Sequence, residues 1–139
     1  MQDVQLTVLL IEDNPGDARL IQEALSDLTD MSLSIVLADR LSHGVDRLAA
    51  GDVDLVLLDL SLPDSDWQET LKAVHRRSPF VPIIVLTGIE DELVANQAVE
   101  EGAQDFLIKG EVDARSLERA IRYAIQRHRT VTALRAMSM

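Results

Sequence analysis

The chain contains no cysteine, so disulfides, thiolate metal centres and thiol chemistry are excluded. Aromatic residues are scarce, with one Trp, one Tyr and two Phe. The interior must therefore be built from aliphatic side chains. No apolar run approaches the roughly 18 residues of a membrane span, so no transmembrane segment is expected. The first residues, Met1-Gln2-Asp3, lack the positive charge of a secretory signal, and a strand-like run follows. A cytoplasmic location is the expectation.

Basic charge is also short. Thirteen Lys and Arg face 24 Asp and Glu, a net charge of −11. Direct binding of nucleic acid needs clustered cations and is not expected. The cations that exist are concentrated at one end. Arg115, Arg119, Arg122, Arg127, Arg129 and Arg135 share residues 114–139 with a single acid, Glu118. This stretch reads either as a solvated helix or as a basic surface for a protein partner.

What is present is a 139-residue chain that is 47% hydrophobic and 27% charged. That is enough for one domain with a full core. Short runs of Val, Ile and Leu predict strands near 6–11, 33–38, 55–59, 82–87 and 105–108. Their continuous apolar character suits strands buried on both faces. Helical periodicity follows each strand. Its stripes are Ala18, Ile21, Ala24, Leu25 and Leu28; Leu41, Val45 and Leu48; Leu71 and Val74; Leu93, Val94, Ala98 and Val99; and Leu117, Ala120, Ile121, Ala124 and Ile125. Five strand–helix units imply a parallel sheet with helices on both faces. The strand order is not given by periodicity. Order 2-1-3-4-5 would set strands 1 and 3 side by side at the switch point where ligands bind. Residues 1–130 are expected to form the domain, and 131–139 a C-terminal helix extension or the start of a linker.

Four of the strands end in a reactive polar residue. Val8-Leu9-Leu10-Ile11 runs into Glu12-Asp13, Leu55-Val56-Leu57-Leu58 into Asp59, Ile83-Ile84-Val85-Leu86 into Thr87, and Phe106-Leu107-Ile108 into Lys109. In a parallel sheet all four ends lie on one edge. Three carboxylates, a hydroxyl and an ammonium would then converge. Mg²⁺ takes carboxylate oxygens and keeps several waters. Asp13 and Asp59 are the expected direct ligands, Glu12 acts through a water, and the Ser61 backbone carbonyl can add an oxygen. Asp59 can serve as a phosphorylated nucleophile. Lys109 supplies a mobile charge and Thr87 a hydroxyl donor for phosphoryl oxygens. Taken singly, each residue has an ordinary alternative: Glu12-Asp13 as a helix cap, Asp59 as a turn residue, Lys109 as a solvated cation. The three histidines, His43, His75 and His128, fall on predicted helices and read as surface or boundary residues.

The ordered set Val8-Leu9-Leu10-Ile11-Glu12-Asp13-Asn14, Leu57-Leu58-Asp59-Leu60-Ser61-Leu62-Pro63, Leu86-Thr87-Gly88 and Asp105-Phe106-Leu107-Ile108-Lys109 resembles the receiver domains of two-component response regulators. The resemblance covers about residues 5–128. It implies an α/β, flavodoxin-like (βα)₅ three-layer sandwich in the order 2-1-3-4-5. It implies Mg²⁺ at Glu12, Asp13 and Asp59, with Asp59 the phosphoacceptor. The phosphoryl group would come from a sensor histidine kinase or a histidine phosphotransfer protein. Thr87 and Lys109 match the phosphoryl-sensing hydroxyl and lysine, and Phe106 the switch aromatic. The face that changes comprises helix 4, strand 5 and helix 5, which would bind a downstream partner or form a homodimer. Glu90, Asp91, Glu92, Glu100 and Glu101 fall on or near helix 4 and the arginines on helix 5, so pairing between them across an interface is the expectation.

Three positions depart from the family pattern. Gly110 follows the lysine where proline is usual, Trp67 stands where glycine is common, and Gln68 after it stands where an apolar residue is more usual. Glycine often marks a positive φ, which a tryptophan resists, so a different loop path is expected there. Trp67 either packs over the start of helix 3 or offers an anchor to a partner. The resemblance makes the chain a signalling phosphoacceptor with only slow self-dephosphorylation. Three alternatives stand beside it: a degenerate receiver acting without phosphate, an Asp-nucleophile Mg²⁺ phosphohydrolase, and a flavin or nucleotide binder on the same fold. The phosphohydrolase reading lacks the second acid, since Ser61 stands two positions after Asp59.

Overall fold

A computed structural model describes the backbone of residues 4–137 and the side chains of residues 5–128. Five strands are described: β1 (Val4–Ile11), β2 (Met31–Ala38), β3 (Leu55–Asp59), β4 (Ile83–Thr87) and β5 (Asp105–Ile108). Each leads into a helix: α1 (Pro15–Ser26), α2 (Leu41–Leu48), α3 (Trp67–Arg77), α4 (Glu92–Glu100) and α5 (Ala114–Met137). Short 3₁₀ turns at Ile89–Asp91 and Lys109–Glu111 precede α4 and α5. The strands form one sheet in the order β2-β1-β3-β4-β5, every pair parallel. The (βα)₅ architecture and strand order expected from the resemblance are therefore those of the molecule.

Central strands β3 and β4 are buried along their whole length, as their unbroken aliphatic runs require. Two aliphatic layers flank the sheet. On one face Leu10, Leu57, Ile84 and Leu86 pack against Ala18, Ile21 and Leu25 of α1 and Leu117, Ala120 and Ile121 of α5. On the other, Leu9, Ile11, Leu58 and Val85 pack against Leu48 of α2, Leu71 and Val74 of α3 and Ala98 of α4. Burying a Leu or Ile side chain contributes about 1.5–3 kcal/mol, so this alternation along the strands fixes the register.

Helix ends follow local chemistry. Asn14 caps α1, its side chain accepting from Asp17 N at 2.9 Å, with Pro15 opening the helix. Asp66 caps α3 in the same way through Glu69 N, also 2.9 Å. Gly102, at φ +127°, lets the chain leave α4. α2 approaches β1 so closely that Gly44, mid-helix, lies directly against Ile11. Ser78, the residue before Pro79, ends α3.

α4 departs from the expected stripe. It buries Ala95 and Ala98, whereas Leu93 is 77% exposed and Val99 is also exposed. Small alanines let the helix lie close to the sheet, and Leu93 is turned outward beside Ile89, 67% exposed. α5 runs on past the last strand to Met137, so residues 131–137 continue the helix. Residues 138–139, and the side chains of Arg129 and Arg135, lie outside the described residues. Among the described residues no helix is long and apolar enough to cross a membrane.

Candidate phosphoacceptor site

The sheet brings the four strand ends to one edge, as the sequence led us to expect. Glu12 follows β1, its N–H donating to Ala38 O of β2 at 2.9 Å. Asp59 is the last residue of β3, Thr87 the last of β4, and Lys109 the first after β5. Glu12 and Asp59 are each 1% exposed and Thr87 is 2% exposed, whereas Asp13 sits exposed at the rim.

Lys109 ties the site together. Its Nζ lies 2.7 Å from Glu12 Oε1, 3.3 Å from Asp59 Oδ1 and 3.3 Å from Asp17 Oδ2. Glu12 Oε1 makes the closest of these contacts, though not in good hydrogen-bond alignment. Ser61 donates twice to Asp59 Oδ1, from its backbone N and its Oγ, both at 3.0 Å. Asn14 N donates to Glu12 Oε2 at 3.3 Å. Asp17 was not singled out by the sequence. An acid in the first turn of a capped helix is ordinary, and nothing in its spacing relates it to Lys109, 92 positions away.

Electrostatics divide the two buried acids. Burial, then the adjacent Asp59, pushes Glu12 up to about 8 against the pull of Lys109. Burial works against ionisation of Asp59 as well. There the Glu12 carboxyl, the Ser61 N–H and hydroxyl, and the Lys109 charge outweigh it and hold Asp59 below the usual carboxylate range. Burial disfavours the Lys109 charge, but Glu12, Asp59 and Asp17 more than offset it and raise its pKa. Both shifts run in the direction that favours charge on Asp59 over charge on Glu12, as a nucleophilic carboxylate needs.

The donor set fits a hard divalent cation. Carboxylate oxygens of Glu12, Asp13 and Asp59 lie within 4.8 Å of one another, close enough for one ion to be reached directly or through water. One ammonium stands against four carboxylates, so the site carries excess negative charge that a cation would offset. A second feature lies beside it. Thr87 Oγ1 is buried without a hydrogen-bond partner. It borders a cleft of about 130 Å³ lined also by Leu60, Ser61, Trp67, Asp91 and Val94. A buried hydroxyl without a partner is costly unless some state of the protein supplies an acceptor.

Trp67 opens α3, half-buried and packed against the α3-side core, and among the described residues no non-glycine has a positive φ. Asp66 caps the helix and Trp67 takes an ordinary backbone conformation, without the positive φ that a glycine there would allow. Gly110 lies exposed in the 3₁₀ turn after β5. Phe106 is half-buried on the α4 side of β5. His43 pairs with Asp39 at the surface, and none of the three histidines belongs to the acid cluster.

The chain matches the family model for the response regulator receiver domain over residues 8–122. It is 34% identical over 130 residues to the KDP operon transcriptional regulatory protein KdpE of Escherichia coli, covering 91% of this chain and 54% of that protein. It is 38% identical over 100 residues to the regulatory protein LuxO of Vibrio cholerae, covering 72% of this chain and 21% of that protein. The chain thus spans from a fifth to about half the length of these relatives. A response regulator receiver domain protein from Clostridium thermocellum has a similar structure, with a TM-score of 0.78 at 26% identity, covering 91% of this chain and 98% of that one. The signal receiver domain of an HD domain-containing protein from Pseudomonas fluorescens is comparable, with a TM-score of 0.78 at 26% identity and 96% of both chains covered.

Proposed function

The chain belongs to the response regulator receiver domains of two-component systems, and from that premise we propose that Asp59 accepts a phosphoryl group from a phosphohistidine on a sensor histidine kinase or a histidine phosphotransfer protein. The observation that carries this reading is the buried Asp59 held 3.3 Å from Lys109 and beside two further acids.

An Asp59 carboxylate oxygen attacks phosphorus. The new O–P bond forms as the P–N bond to the donor imidazole breaks, and the electron pair stays on the ring nitrogen, which takes up a proton. Glu12, Asp13, Asp59 and the Ser61 backbone carbonyl would hold Mg²⁺. When bound, Mg²⁺ neutralises charge on the transferring oxygens. Lys109 shares that work from the other side and is already poised over Asp59. Thr87 then has the acceptor its hydroxyl lacks, namely a phosphoryl oxygen. Its movement leaves room for Phe106 to turn inward.

Output passes through the α4–β5–α5 face to a downstream protein or a second copy of the chain. Three features support this surface. Leu93 and Ile89 are exposed at the start of α4. Glu90, Asp91 and Glu92 flank them in the chain and Glu100 and Glu101 stand at the other end of α4, all exposed. Arg115 and Arg119 are exposed on α5, opposite in charge, and with Arg122 and Tyr123 they border a groove of about 490 Å³ that also holds Asp30 and Glu118, both paired with Arg122.

The test is intact mass after incubation with a small phosphodonor and Mg²⁺. An adduct of about 80 Da is expected, absent without Mg²⁺ and absent in Asp59→Ala. A wild-type protein that stays unmodified would instead be a receiver that works without phosphate.

A further inference from the structure

Lys109 has three N–H donors and faces three carboxylates, and one of these belongs to neither the acid pair nor the nucleophile. Asp17 projects from the first turn of α1, where its own N–H is bound to Asn14 Oδ1 at 2.9 Å. The next residue, Ala18, and Ile21 are buried against the sheet, so this turn is rigid. Asp17 Oδ2 accepts a hydrogen bond from Lys109 Nζ at 3.3 Å, whereas the closer Glu12 Oε1 accepts none of adequate alignment. The Asp17 side chain is 37% exposed and that of Lys109 18%.

We infer that Asp17 is a positioning residue, a tether on α1 that holds the Lys109 ammonium in the resting site and competes with the phosphoryl group for it. The inference rests on Asp59 being the phosphoacceptor. A phosphoryl group on Asp59 presents new acceptor oxygens, and Lys109 can reach them only by redistributing donors it now spends on carboxylates. Giving up Asp17 is the least costly exchange, because that carboxylate is rehydrated at the rim while Glu12 is sealed from water. Asp17 thus sets how strongly the resting arrangement opposes the phosphorylated one.

The test is the affinity for beryllofluoride, a phosphoryl mimic, at saturating Mg²⁺, followed by fluorine NMR. Asp17→Asn should bind about threefold to tenfold tighter than wild type, the scale of a partly exposed ion pair. Asp17→Glu, which keeps the carboxylate, should stay within about twofold. Removing any negative charge near an anion site raises affinity somewhat, so the double variant decides whether the effect runs through Lys109. In a Lys109→Gln background, Asp17→Asn should keep only that small general gain, well below its effect in the wild type. Wild-type affinity in Asp17→Asn, an equal gain in Asp17→Glu, or an undiminished gain without Lys109 would each overturn the inference. If Lys109→Gln binds too weakly to measure, the contrast between Asn and Glu at position 17 decides. Failure of the wild type to bind beryllofluoride at all would overturn the phosphoacceptor reading and the tether with it.

Discussion

Replacing Gly44 by alanine sets two effects of opposite sign against each other. Within a helix the exchange ordinarily stabilises by about 1 kcal/mol, because glycine carries more conformational entropy into the unfolded chain. Here a Cβ at position 44 would lie 2.8 Å from Ile11 Cγ1, closer still to Ile11 Cδ1, and 3.6 Å from Ile11 Cγ2. Carbon atoms prefer about 3.5–4.0 Å. Ile11 is fully buried, so the clash cannot be relieved into solvent. Overpacking of this kind costs about 1–3 kcal/mol. The net expectation is a loss of about 1 kcal/mol, or roughly 4 °C in Tm for a domain of this size. Urea unfolding followed by circular dichroism should show a lower midpoint with an unchanged slope. Ile11→Val alone should cost about 1 kcal/mol, but in the Gly44→Ala background it removes the colliding methyl and should cost much less. Ile11 leads directly into Glu12, so Gly44→Ala should also weaken Mg²⁺ binding. A Gly44→Ala protein as stable as wild type, with additive effects in the double variant, would refute the steric argument.

With a chelator present, stability should fall as pH rises from about 5 towards 8. Burial and Asp59 raise Glu12 to about 8, so the folded protein holds a proton that the unfolded chain has lost, and each step up in pH favours unfolding. Thermal melts of Glu12→Gln should lack that slope, and Mg²⁺ should flatten it in the wild type. Asp66→Ala removes the acceptor for Glu69 N and should lower stability by about 1 kcal/mol in urea melts. Because Trp67 shares a cleft with Thr87, its emission should change when Mg²⁺ and beryllofluoride are added, and should be silent in Asp59→Ala.

The strands and the site were legible for one reason. Buried parallel strands are written as unbroken aliphatic runs, and the first polar residue after each run marks the functional edge. Glu12, Asp59, Thr87 and Lys109 were found in this way and the fold brings them together. α4 was misread because Leu93 and Val99 lie at helical spacing yet face outward, and periodicity alone cannot distinguish a core stripe from an exposed apolar one. Ala95, which does the packing, carries little hydrophobic signal. Asp17 was hidden for a different reason: its partner lies on another element, and only the folded chain places them side by side. Gly44 did leave a trace, since a glycine inside a helical pattern often marks a close approach of another backbone or side chain.

β5 is the shortest strand of the sheet and pairs with β4 alone, yet the residue that follows it, Lys109, reaches across to α1. The cation therefore follows an outermost strand, while two of its anchors, Glu12 and Asp59, stand at the ends of interior strands and the third, Asp17, on α1. Edge segments held on one side open more readily than the sheet as a whole. Peeling of four residues would withdraw the ammonium and leave the acids in place, so this molecule can lose its chemistry well before it loses its shape.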